Sequence, residues 1–205
     1  MRSAFTLVEL LTTIGLLFAL LMVIGHVIRR DLSHRRLSLA LGVLENFLSL
    51  ATTTARLDRV YVRILWDRGD ALSGRESRIF LLSSPDLGPS AEWTLSRSEP
   101  LPEHCRLLTQ FENRSFPAGG VVSVSEAWLS GTSSLLGEGG VSVWEWFFNP
   151  AGELREADGS SPPHRAMGVC SGPDAFPLGC VAVNANGHVQ IHEGVENVRN
   201  FLTAL

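Results

Sequence analysis

The residues of this sequence whose types could do chemistry are few and far apart. His188, Gln190 and His192 alternate along one stretch, with Glu193 beside them. On a strand that spacing puts the three on one face, as a metal or acid–base group would require. A zinc centre needs further ligands in fixed places, and no ligand-spacing motif supplies them; a solvated strand face accounts for the same pattern. His104 directly precedes Cys105, but neighbours on a strand point to opposite faces, so the two do not form a nucleophile and base. Cys170 and Cys180 flank the loop SGPDAFPLG. In an oxidising compartment they would be free to pair, leaving Cys105 over; spacing alone does not decide between a bridge and two thiols, because a bridge demands its own geometry. There is no C-x-x-C, no G-x-S-x-G and no phosphate-cradling glycine loop followed by lysine. All 17 basic residues are arginine. Schiff-base and P-loop chemistry are therefore excluded. The expectation is a protein that is not an enzyme, with no catalytic residue, cofactor or metal.

The ionisable residue in the most unusual setting is Glu9. From Phe5 to Ile28 the chain is apolar apart from small polar residues, His26 and this carboxylate, and no further charge follows until Arg29. At about 1.5 Å of rise per residue this is enough helix to cross the roughly 30 Å hydrocarbon core of a bilayer. A carboxylate at mid-membrane is unfavourable by roughly 2.5–3.5 kcal/mol on insertion scales and marks a function with a specific partner.

Ala4-Phe5-Thr6-Leu7-Val8-Glu9-Leu10-Leu11, followed by an unbroken apolar run, resembles the N-terminal processing signal of type IV pilins and pseudopilins. The resemblance implies that a prepilin peptidase cuts between Ala4 and Phe5 and methylates the new amino group of Phe5. It also implies that the apolar run is kept as membrane anchor and assembly helix, and that Glu9 meets the N-terminal amine of a neighbouring subunit. The family usually has glycine before the cut; this chain has Ala4, another small residue. The implied partners are the prepilin peptidase, other pilin or pseudopilin subunits, an inner-membrane assembly platform and the lipid bilayer. No nucleic acid is expected outside a DNA-uptake pilus. The implied location is the bacterial inner membrane, single-pass, with the C-terminal body periplasmic, or a filament built from there. The resemblance does not separate type II secretion, a type IV pilus and a DNA-uptake pseudopilus.

Other readings of the same residues exist. A secretory signal has a shorter apolar core followed by an A-x-A-like site, and Gly25-His26-Val27-Ile28-Arg29-Arg30 offers none. A single-pass anchor carrying an extracytoplasmic binding module or enzyme accounts for the span but gives no reason for Glu9. Arg29, Arg30, Arg35 and Arg36 all follow the span, and a positive-inside count would keep the body in the cytoplasm. The resemblance implies the opposite orientation, which is the one expected here. The segment RRDLSHRR also suits the surface of an anionic membrane. The net charge of -4 gives no general affinity for nucleic acid.

These residues must be positioned by a scaffold, and its outline follows from periodicity. Leu37, Leu41, Leu44, Leu48, Ala51 and Ala55 recur at helical spacing, with Ala40 and Phe47 beside them. No proline occurs before Pro85, so one helix is predicted from Phe5 to about Arg56. Strands are predicted at residues 60–66, 78–82 and 92–96, with two more near 105–109 and 121–125. Two hairpins follow: 141–148 returning through Asn149-Pro150-Ala151-Gly152 to 153–155, and 180–184 returning through Ala185-Asn186-Gly187 to 188–192. Trp144, Trp146 and Phe148 share one strand face, which is predicted to bury against the helix rather than to form a partner surface with Trp66, Trp93 and Trp128. A short terminal helix would turn Val195, Val198, Phe201 and Leu202 inward. The element order is similar to that of minor pseudopilins of the H type. The expected fold class is therefore α+β, pilin-like: a long N-terminal helix, membrane-spanning in its first half, packed on an antiparallel β-rich domain. The expected divisions are a leader at 1–4, an anchor and assembly helix at 5–28, its amphipathic continuation at 29–56, and a globular domain at 57–205. The loops between 99 and 140 are the expected seat of specificity.

Overall fold

A computed structural model describes residues 7–69, 76–87, 91–124, 141–156, 159–172 and 176–205. Ala4, Phe5 and Trp128 lie outside the described residues. Helix α1, Leu7–Asp58, runs without interruption through 52 residues. Nothing in its sequence stops it earlier: proline is absent, and leucine, a strong helix former, is its commonest residue. Its second half buries Leu37, Ala40, Leu41, Leu44, Phe47, Leu48, Ala51, Thr52 and Ala55. That is the stripe expected from the 3.6-residue period, with Thr52 added.

Two antiparallel sheets receive this stripe. In the first, β1 (Tyr61–Asp67) pairs with β2 (Arg78–Ser84), which pairs with β3 (Thr94–Pro100). On its other side β1 pairs with β8 (Val141–Phe148), which is flanked by β7 (Gly120–Val124) and joined by the short β9 (Leu154–Arg155). The second sheet has the order β12 (Val189–Glu193), β11 (Leu178–Asn184), β10 (His164–Ser171), β4 (Cys105–Leu108). A small ribbon, β5 (Gln110–Phe111) with β6 (Arg114–Ser115), lies between β4 and β7.

The main core forms where α1 meets the inner faces of both sheets, joining Leu44 and Leu48 to Val62, Ile64, Trp66, Trp146, Phe148, Val169, Val181 and Val183. Trp66 and Trp146 touch with ring centroids 4.6 Å apart, and the Trp146 indole N–H donates to the Ala118 carbonyl at 2.7 Å. The aromatic stripe of β8 is thus core, as predicted. Close packing needs small residues: a Cβ on Gly179 of β11 would fall 2.7 Å from Leu41 Cδ1 of α1. Helix α2, Val195–Ala204, covers the outer face of the second sheet, burying Val198 and Leu202 against Cys170, Leu178, Cys180 and Ala182.

Two features differ from the sequence reading. Strand β10 carries no alternation in HRAMGVCS, because six of its eight residues, Ala166 to Ser171, are buried: α1 covers one face and α2 the other. Strand β3 begins at Thr94 and runs on to Pro100, where a proline is tolerated at the end of an edge strand.

Candidate functional site

The part of the molecule least explained by its own packing is the first half of α1. From Leu7 to Ile28 every residue is exposed. Leu7 is 76% and Met22 77% exposed, and the large apolar side chains between them point into open space. This segment is roughly 33 Å long at about 1.5 Å per residue, close to the thickness of a bilayer core. It is long and apolar enough to cross a membrane, and none of it is buried by the body. An apolar surface of this extent is the mark of an interaction surface, for lipid or for other helices.

Glu9 sits in the first turn of α1, where a carboxylate complements the helix dipole. The Thr13 hydroxyl donates to the Glu9 carbonyl at 2.7 Å, and the Thr12 hydroxyl lies 3.0 Å from the carbonyls of both Val8 and Glu9. The threonines of this turn satisfy their hydroxyls on the backbone, and Glu9 lies on the exposed helix surface.

Beyond Ile28 the helix turns basic. Asp31 and Arg35 pair at 2.9 Å across one turn, and Arg29 and Arg30 stand on the exposed surface between the apolar segment and the body. The body then grips the helix up to its far end. Arg56, in the last turn, donates from Nε to the Ala151 carbonyl and from Nη2 to the Asn186 carbonyl, both at 2.9 Å.

The chemistry-bearing residues of the body have structural surroundings. Cys105, Cys170 and Cys180 are all buried and free. The bridge between Cys170 and Cys180 is not made. In the ladder of β10 and β11, Cys170 stands opposite Leu178, whereas Cys180 stands opposite Gly168. The two cysteines are diagonal neighbours, about 7–8 Å apart at Cα in such a ladder, which is beyond the usual reach of a disulfide. Burial pushes the Cys180 thiol up to about 12, so it behaves as a small apolar side chain. Cys105 offers its thiol to the Arg36 carbonyl at 3.6 Å and does not meet His104 as a base; His104 precedes β4 with φ 65°.

His188 and Gln190 are exposed. His192 departs from the solvated face expected for it. Its ring stacks on Phe201 of α2, centroids 4.4 Å apart, and desolvation lowers its pKa. Among the described residues no three His, Cys, Asp or Glu side chains come together as a metal site. Sequence reasoning missed an inner ion pair. Arg63 of β1 reaches Glu145 of β8 at 2.5 Å and lies 4.3 Å over the Trp93 ring. Burial raises the Glu145 carboxyl, and Arg63 opposes that rise. Residues 63 and 145 are diagonal in the β1–β8 ladder, a relation visible only once the register is known.

The chain is similar to solved minor pilins and pseudopilins. The type IV minor pilin FimU of Pseudomonas aeruginosa matches at 13% identity and a TM-score of 0.45, over 77% of this chain and 89% of that one. Two structures of the minor pseudopilin EpsH from the type II secretion system of Vibrio cholerae match at 12% identity and a TM-score of 0.44. They cover 77% and 79% of this chain and 97% and 96% of theirs. No protein-family model matches the chain, and no curated protein sequence does.

Proposed function

We propose that this chain is a minor pilin or pseudopilin: a structural subunit, rather than a catalyst, that enters a filament through its N-terminal helix. The observation that carries the reading is the first half of α1, an apolar helix of spanning length, uncovered by its own body, with a carboxylate in its first turn. The motif Ala4-Phe5-Thr6-Leu7-Val8-Glu9 supports it further through its likeness to the prepilin signal. In this reading a prepilin peptidase cuts before Phe5 and methylates it. The helix holds the subunit in the inner membrane with the body on the periplasmic side. At an assembly platform it then leaves the bilayer to pack among the helices of other subunits.

Glu9 has a physical role in that transfer. A carboxylate is disfavoured in an apolar medium, and an ammonium group brought beside it offsets much of the penalty. The amine of a processed neighbour is such a group. Glu9→Ala and Glu9→Gln are expected to leave the body folded and to lower recovery of the subunit in sheared or cross-linked filaments at least tenfold. Co-assembly of Glu9→Ala at the wild-type level would count against the role.

A further inference from the structure

Where α1 leaves its apolar segment, it does not lie flush against the body. An open crevice of about 950 Å³ separates them. Arg29, Leu32 and Arg36 of α1 line one side; Arg68, just beyond β1, and Arg106, on β4, line the other. Three segments distant in sequence thus bring guanidinium groups to one opening. Glu76, Glu103 and His104 also line it, so among the described residues of the lining four arginines face two carboxylates. Arg106 spends one donor on the Gly172 carbonyl at 3.2 Å and keeps others, since a guanidinium has five N–H groups.

The position of this crevice is as telling as its charge. Arg29 follows Ile28, the last residue of the uninterrupted apolar stretch. At about 1.5 Å per residue Arg36 lies roughly 12 Å further along the axis. The polar region of a bilayer extends about 5–8 Å beyond each face of its hydrocarbon core. With the apolar segment in the bilayer, the Arg29 end of the crevice is at headgroup depth, and exposed Leu32 offers an apolar wall beside it.

We propose that the crevice takes the phosphate headgroup of an anionic phospholipid from the leaflet through which α1 emerges. The inference rests on the reading of α1 as a membrane span. Arginine suits the task because its planar fork donates two parallel hydrogen bonds to phosphate oxygens. A phosphatidylcholine headgroup brings its own cation, which these arginines repel; phosphatidylglycerol does not. Free phosphate shares the oxyanion chemistry but has no acyl chains to hold it at this depth.

The test uses the full chain in nanodiscs of phosphatidylcholine with one quarter phosphatidylglycerol. Lipid retained on the protein is counted by native mass spectrometry, with and without millimolar inorganic phosphate. The wild type is expected to retain phosphatidylglycerol in preference to phosphatidylcholine, unaffected by inorganic phosphate. Arg68→Gln and Arg106→Gln are each expected to lower that preference roughly 5-fold. Arg29→Gln, which lies outside the packed body and cannot unfold it, is expected to do the same. Equal retention by wild type and all three variants, in discs that hold the protein, would overturn the lipid site while leaving the membrane reading intact. Displacement by inorganic phosphate would overturn it in favour of a free-anion site. Failure of the wild-type chain to enter discs at all would overturn the membrane reading and this inference with it.

Discussion

Arg56 lies directly over Gly152: a Cβ at residue 152 would fall 2.8 Å from Arg56 Cγ. The contact joins the end of α1 to a turn that occurs twice. In the first copy, the Asn149 side-chain oxygen accepts from the Ala151 and Glu153 amides, and the Gly152 amide donates to the Asn149 carbonyl. In the second, the Asn184 side-chain oxygen accepts from the Asn186 and His188 amides, and the Gly187 amide donates to the Asn184 carbonyl. Gly152 and Gly187 both have positive φ, 72° and 80°. The two turns meet through the bond from the Leu154 amide to the Ala185 carbonyl, and Arg56 donates to a carbonyl of each. The helix end, the first sheet and the second sheet are locked together there.

Gly152→Ala should therefore destabilise the body on two counts, a left-handed backbone and the collision with Arg56. The expected loss is about 1–3 kcal/mol in urea unfolding. Arg56→Ala should relieve the collision but lose both bonds, so the double variant is expected to lose less than the sum of the two single losses. Full additivity would mean that the contact between residues 56 and 152 carries no energy.

The two faces of α1 beyond Ile28 predict a contrast. Leu44 is 0% exposed within the main core, whereas Leu39 is 61% exposed. Leu44→Ala is expected to cost about 2–5 kcal/mol, and Leu39→Ala to stay within about 0.5 kcal/mol of wild type. Equal losses would mean that the helix packs on the body by another face.

Much of this was legible in the sequence, and the parts that were not share a cause. The buried stripe of α1, the shared face of Val62, Ile64 and Trp66, and the positions of both asparagine turns follow from local periodicity and turn chemistry. Strand β10 was invisible because burial on both faces erases alternation. The stacking of His192 on Phe201, the diagonal offset of Cys170 and Cys180, the ion pair of Arg63 with Glu145 and the meeting of the two turns under Arg56 depend on register and on contacts between distant segments. No local pattern encodes those relations.

The cysteines give a chemical check. Burial raises the pKa of all three thiols, and Cys180 reaches about 12. A maleimide or iodoacetamide reagent at neutral pH is expected to leave the folded protein unlabelled and to modify three thiols after unfolding in urea, with or without prior reduction. Recovery of a Cys170–Cys180 peptide without reductant would contradict the register of β10 and β11.

His192 predicts a sign for the acid limb of stability. Burial lowers its pKa in the folded state, so between the folded and unfolded values the unfolded chain binds the extra proton. Its contribution is fully present above the unfolded value near 6.5 and is lost as pH falls through the folded one. Glu145 acts in the opposite sense in the carboxylate range: its raised folded pKa makes ionisation unfavourable to folding as pH rises. The denaturation midpoint is expected to fall between pH 7 and pH 5, and His192→Phe, which keeps a ring against Phe201, to flatten that slope. An unchanged slope in the variant would assign it to other groups.

Processing of the N-terminus is tested by the intact mass and N-terminal peptide of the protein taken from its native membrane. The expected result is a chain that begins at N-methylated Phe5, with Glu9 five residues into the mature sequence. A chain that still begins at Met1 would contradict it and leave a plain membrane-anchored module in its place.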